Sequence, residues 1–323
     1  GFEGIITTDW GMVWGIQQSA GFFGGEMSVD EALVQGFEVA RVDVSGGSSM
    51  RELDAAIRLV EEGRISMETV DAAVERILKA KFALGIFENP YVDPDLAEQI
   101  VGSPEHQAVS LEAAEKSMTL LKNDGILPLN KGQKILVAGA RAGDMDSLTG
   151  GWTSKQDGLT LVDAIRAYVG DEGEVLYVAE DATEAAELAA DCDVAIIAVG
   201  EPAYMHSPPW GADSLELPSS QQELLEAVEA TGTPIVVVVM MGRPYILTWC
   251  AEHAEAILVA YYPGTQGGVA ITNVLFGEAQ PGGRLPVQLP RSMQQVLAQR
   301  SDVAKDIEDP LYDYGFGLQL PQR

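Results

Sequence analysis

Thiol, imidazole and positive charge are all scarce in this chain. Two cysteines occur in 323 residues, Cys192 in an alanine-rich helical stretch and Cys250 beside Trp249. Both read as small buried hydrophobes, which excludes a disulfide framework and a thiolate metal centre. Three histidines, His106, His206 and His253, stand too far apart for a multi-histidine zinc site. No metal and no cofactor is expected. Lysine and arginine total 20 against 49 acids, a formal net charge of −29. So acidic a surface repels nucleic acid and anionic membranes and suits a neutral polyhydroxyl substrate. No apolar run is long enough to suggest a membrane span. The chain opens at Gly1 directly ahead of a strand pattern, without methionine or leader, and is expected to be the later part of a longer polypeptide.

What is present is an alternation of strand and helix patterns. A first strand runs to Asp9 and a second is expected over Phe37–Val44. A helix follows with Leu53, Ile57 and Val60 on one face. Another starts near Ser66 and is expected to bury Val70, Ala73, Val74, Ile77 and Leu78. Two strands and two helices cannot cover both faces of a sheet, so this region reads as a fragment of something larger. Asn89-Pro90 and Pro94 then predict an extended linker. Ser103-Pro104 opens a helix with a hydroxyl cap and proline at its first position, expected to continue through Leu120-Leu121. Beyond Lys134, apolar runs at 134–140, 174–179, 193–200, 234–242 and 256–264 alternate with helices near 160–169, 182–191, 219–231 and 265–276. The runs at 194–199 and 235–240 are apolar without alternation, which predicts a mostly parallel, doubly wound sheet. Ligand-facing loops then lie beyond the carboxyl ends of its strands. Gly139–Gly143 lacks the glycine spacing of a dinucleotide loop. Asp144 and Asp146 beside it read as solvated carboxylates.

The most informative stretch is Gly1–Gly11, GFEGIITTDWG, in which an apolar strand delivers Asp9 to a sheet lip beside an aromatic and a glycine. A carboxylate meets the electron-poor anomeric carbon of a sugar, and the Trp10 ring suits the C–H face of a pyranose. These residues closely resemble the nucleophile motif of glycoside hydrolase family 3. Gly63–Glu88 resembles the last helix of that family's (β/α)8 barrel. Gly150–Thr153, Gly200-Glu201, Gly242–Pro244, Pro263–Gly267, Gly283–Pro286, Pro290–Met293 and Tyr314–Leu318 follow in the family's order. The resemblance spans nearly the whole chain. It implies α/β architecture: residues 1–88 as the last two strands and helices of a (β/α)8 barrel, 89–105 as a linker, and 106–323 as an α/β sandwich completing the active-site cleft. Barrel strands one to six are absent from the sequence, so the N-terminal barrel portion of the same enzyme is an expected partner. A periplasmic or extracellular location is favoured by the same resemblance, which leaves oligomerisation open.

The resemblance assigns Asp9 as the nucleophile that forms a covalent glycosyl-enzyme, and Trp10 as a sugar-stacking wall. In the family's β-glucosidase branch the proton donor is a Glu two residues past a Tyr. Here the register on Tyr204 places His206 there, and a register anchored on Leu217-Pro218 lands near Pro208. His206 is the candidate acid/base, since imidazole titrates near neutrality, with Glu201, Asp213 and Glu216 as alternatives. Trp152 matches one aromatic of the family's leaving-group subsite. Gln156 stands where a second Trp occurs in some members, and Trp210 is a candidate substitute. Trp14 and Trp249 are expected to be packing residues. The expected function is a retaining, exo-acting β-glycosidase of the β-glucosidase or exo-β-glucanase type, acting on an oligosaccharide or β-glucoside. The alternatives are a glycoside phosphorylase with a His acid/base and a catalytically silent carbohydrate-binding homologue.

Overall fold

The computed structural model describes residues 2–22, 25–153, 157–201, 214–300 and 303–321. It divides into two compact units, 1–99 and 100–323.

The first unit contains β1 (Thr7–Trp10), α1 (Met12–Phe22), α2 (Val29–Val34), β2 (Val44–Gly46), α3 (Met50–Glu61), α4 (Met67–Ala83) and most of α5 (Pro94–Ile100). β1 and β2 pair in parallel as a two-stranded sheet. The strand expected over Phe37–Val44 is displaced: Gln35–Val39 is a π-helical turn continuing α2, and β2 begins only at Val44. The cause lies upstream. Ser28 and Glu31 form a reciprocal capping box that starts α2, which buries Ala32 and Leu33. That helical start overrides the alternating pattern after it. Ser49 with Glu52 and Ser66 with Thr69 cap α3 and α4. The burial expected along these helices is incomplete. Leu59 is fully buried, whereas Leu53, Ile57, Val74 and Leu78 are exposed. Ile57 and Val74 line an open apolar groove of about 280 Å³ between α3 and α4, with Val60, Val70, Ala73 and Ile77. The linker is not wholly extended either, because the Asp93 carboxylate accepts the N–H groups of Asp95 and Leu96 and starts α5.

The second unit begins with α6 (Pro104–Ser117) and β3 (Thr119–Asn123). Here the helix expected through Leu121 stops at Ser117. Thr119, Leu120 and Leu121 are all buried, a two-sided burial that an edge strand provides and a surface helix does not. Then follow β4 (Lys134–Ala138), α7 (Asp146–Thr149), α8 (Leu161–Val169), β5 (Glu174–Val178), α9 (Ala182–Ala189) and β6 (Val194–Gly200). The unit continues with α10 (Ser219–Glu229), β7 (Ile235–Met240), α11 (Thr248–His253), β8 (Ala256–Val259), α12 (Gly267–Phe276) and α13 (Met293–Ala298). The strands form one six-stranded sheet in the order β3-β8-β7-β6-β4-β5, parallel except for β3.

Every residue of β6 and β7 is buried, because alternate side chains enter different cores. Ile196, Ala198, Val236 and Val238 pack with residues of α6, α8 and α12, while Ile197, Val199, Val237 and Val239 pack with residues of α9, α10 and α11. Burial of each such valine or isoleucine contributes about 1.5–3 kcal/mol before entropy is counted. This is the doubly wound, mostly parallel arrangement expected from the unalternated apolar runs. The order of winding reverses between the neighbouring parallel strands β4 and β6: β4 leads through α8 to β5 on one side, and β6 through α10 to β7 on the other. Their carboxyl ends are the crevice where such sheets bind ligands.

Among the described residues no helix is long and apolar enough to cross a membrane, and none of the His, Cys, Asp and Glu side chains gather in threes to hold a metal ion. Cys250 is buried and its thiol is pushed up to about 12 by desolvation. Cys192, expected to be buried, is only partly so.

Candidate active site

Asp9 lies in an irregular stretch of β1. Thr7 pairs with Val44 and Trp10 with Gly46, so three steps along β1 oppose two along β2. One extra residue on a strand re-aims the side chains around it, and such bulges concentrate beside functional sites. Asp9 is exposed, and its Oδ1 accepts the N–H of Trp10 at 2.8 Å. The Trp10 indole is 78% exposed and rests against Gly47. A Cβ on Gly47 would stand 2.2 Å from Trp10 Cε3, and its φ of +64° favours glycine besides. An acid and a flat aromatic face thus stand together on one strand end.

The strand end is fixed from below. Asp43, its side chain fully buried, accepts the Ile6 N–H at 2.8 Å and Arg76 Nε at 3.0 Å, and Arg76 Nη2 donates to it as well. The Arg76 guanidinium holds the Asp43 carboxyl below the usual carboxylate range, with the Ile6 N–H adding to the effect. Nothing in the sequence marked Asp43 or Arg76, since their partnership spans 33 residues.

In the second unit, two of the loops singled out from the sequence leave the carboxyl ends of β4 and β6, at the switch point. The first carries Trp152, which is exposed. The base of that loop is tied to the segment after β8, where Gly264 N–H donates to Leu148 O at 2.7 Å. Arg141 Nη1 donates to Asp144 Oδ2 at 3.2 Å and to Ser147 Oγ at 2.9 Å. Asp144 is therefore held by an arginine rather than simply solvated, as the sequence suggested. The second loop begins at Glu201. His206, Trp210 and Asp213, together with Tyr204 and Pro208, lie outside the described residues, as does Gln156 of the first loop. Glu216 is exposed, with its N–H donating to Ser214 Oγ at 3.1 Å.

Glu201 is buried and engaged through both oxygens. Oε1 accepts the N–H groups of Gly242 and Arg243 at 2.8 and 3.1 Å, and Oε2 accepts Arg243 Nε at 2.8 Å and Nη2 at 2.5 Å. A carboxylate so occupied pins the end of β6 to the turn after β7. Glu201→Ala should therefore cost about 2–3 kcal/mol, the low end for a buried pair because Arg243 is a quarter exposed. Thermal denaturation should show a midpoint about 5–10 °C lower. An unchanged midpoint with a selective loss of turnover on poor leaving groups would instead make Glu201 the proton donor.

Two tryptophans outside the candidate sites behave differently. Trp249 stacks on His253 with centroids 4.5 Å apart and packs against the α9–α11 side of the core. Trp14, expected to be a packing residue, is 63% exposed on α1. Its helix presents that face outward within the first unit.

Residues 118–320 match the model of the glycosyl hydrolase family 3 C-terminal domain. The chain belongs to glycosyl hydrolase family 3. Among curated relatives, the periplasmic β-glucosidase of Salmonella typhimurium is 28% identical over 98% of this chain and 48% of its own length. The lysosomal β-glucosidase of Dictyostelium discoideum is 31% identical over 98% of this chain and 42% of its own. A solved β-glucosidase structure from Erythrobacter marinus superposes with a TM-score of 0.80 at 32% identity, covering 99% of this chain and 48% of that one. This family 3 chain thus spans about half the length of the relatives it matches.

Proposed function

We propose that this chain contributes the nucleophile and the α/β sandwich of a retaining, exo-acting β-glucosidase. The observation that carries the reading is Asp9 in the β1 bulge with Trp10 beside it, in a chain of family 3 whose curated relatives are named β-glucosidases. In this reading residues 1–88 are the last part of a (β/α)8 barrel and 106–323 form the sandwich domain. The relatives extend to about twice the matched length, which supports an N-terminal barrel portion as the partner. Relatives of the periplasm and the lysosome favour a periplasmic or extracellular site of action.

The chemistry follows from the roles. The Asp9 carboxylate, whose Oδ1 accepts the Trp10 N–H, attacks the anomeric carbon while an acid protonates the departing oxygen. Water activated by the same acid/base then releases the sugar, and two inversions return the β configuration. Trp10 covers the apolar face of the ring. The acid/base is assigned to the loop that follows Glu201, with His206 as the leading candidate. Four hydrogen bonds to the Gly242–Arg243 turn argue against Glu201 in that role. His206→Ala should lower kcat/KM for aryl glucosides with poor leaving groups by about 10²–10⁴-fold and leave kcat/KM for activated ones nearly untouched, since only the former need a proton in glycosylation. For both, kcat should fall, because deglycosylation loses its base. Equal losses in kcat/KM across a leaving-group series would return the role to Glu201, Asp213, Glu216 or a residue outside this chain. Detecting a glycosyl adduct on Asp9 by mass spectrometry after reaction with an activated 2-fluoro-glucoside tests the nucleophile directly.

A further inference from the structure

The bulge in β1 leaves Asp9 on a stretch where the two-stranded ladder is irregular, and a side chain crosses that gap. Gly46 N–H donates to Thr8 Oγ1 at 3.0 Å, and Gly46 O accepts the Gly11 N–H at 2.9 Å. Gly46 is where β2 comes closest: a Cβ there would lie 2.8 Å from the carbonyl oxygen of Asp9 and 3.0 Å from that of Thr8. Only glycine permits that approach. Three residues upstream of Asp9, the buried Asp43 carboxylate takes the Ile6 N–H. The carboxylate-bearing residue is therefore held between two ties, one at Ile6 and one formed by Thr8 and Gly46.

We infer that Thr8 is a positioning residue for Asp9, acting through Gly46 rather than by touching substrate. The inference rests on the reading of Asp9 as the nucleophile. Valine has nearly the shape of threonine but cannot accept from Gly46 N–H, whereas serine keeps the acceptor. Misplacement of a reacting group by about 1 Å costs on the order of 10² in rate, so the hydroxyl's loss should appear in the chemical step and not in binding.

The test compares Thr8→Val, Thr8→Ser and Asp9→Asn in the enzyme assembled with its barrel portion, using an aryl β-glucoside and an activated 2-fluoro-glucoside. Thr8→Val should lower kcat and the rate of covalent labelling by about 10–100-fold, with KM within about twofold and the thermal midpoint nearly unchanged. Thr8→Ser should restore both rates to within about threefold of the parent. The inference is overturned if Thr8→Val labels at the parent rate, if serine loses as much as valine, or if the rate loss only follows a fall in thermal midpoint. Asp9→Asn separates the two claims: an active Asp9→Asn enzyme removes the nucleophile reading and this inference with it. An inactive Asp9→Asn beside a fully active Thr8→Val removes the inference alone.

Discussion

Asp9→Asn, made in the assembled enzyme, should lower kcat on aryl β-glucosides by at least about 10⁴-fold, the scale seen when a covalent nucleophile is removed. Stability should hardly change, because Asp9 is exposed and its hydrogen bond to its neighbour Trp10 survives as an amide contact. Small anions sharpen the test. With Asp9→Ala, azide can enter the vacated space and displace an activated leaving group in one inversion, giving the α-glycosyl azide. Loss of the acid/base instead leaves the glycosyl-enzyme to be intercepted by azide, giving the β product after two inversions. The configuration of the azide adduct therefore distinguishes the nucleophile from the proton donor. Near-parental turnover in purified Asp9→Asn would sink the assignment of Asp9.

The second unit was legible because its signals are local. Fully apolar runs at 194–199 and 235–240 required two covering layers, and the sheet supplies them with β6 and β7 at its middle. The first unit was less so. A capping box at Ser28 and Glu31 decides that the next residues are helical, against an alternation that reads as a strand. β3 was missed because Leu120-Leu121 continues an apolar helical pattern, and only pairing with β8 turns it into a strand. Of the candidate residues, Asp9 and Trp10 in the first unit and Glu201 in the second were visible in the sequence. The groups that hold them were not. Asp43 with Arg76 and Gly46 with Thr8 fix the strand that carries Asp9, and Arg243 fixes Glu201, all through contacts 33 to 42 residues apart, which no spacing rule reports.

Expressed without a barrel portion, this chain is expected to be inactive, and its two units should part in stability. The second unit has its sheet covered by helices on both faces, with buried apolar side chains continuous from β5 to β3. The first has a two-stranded sheet and a much smaller buried cluster, formed by Met12, Val13, Ala32, Leu33, Val42, Leu59 and Ile65. Leu53, Ile57, Val74, Leu78 and Phe82 are exposed on α3 and α4, around and beyond an apolar groove of about 280 Å³. Unpaired strand edges and such a groove invite association, whereas a closed eight-stranded barrel has no edge to offer. Limited proteolysis should therefore digest residues 1–99 first and leave a resistant fragment from about residue 100 onward. A hydrophobic dye should bind the isolated chain and be released on assembly with the barrel portion, together with recovery of glucosidase activity. Full activity from the chain alone would defeat this account, as would a single cooperative unfolding transition without dye binding. Dye binding with intact protection of residues 1–99 would place the exposed apolar surface elsewhere on the molecule.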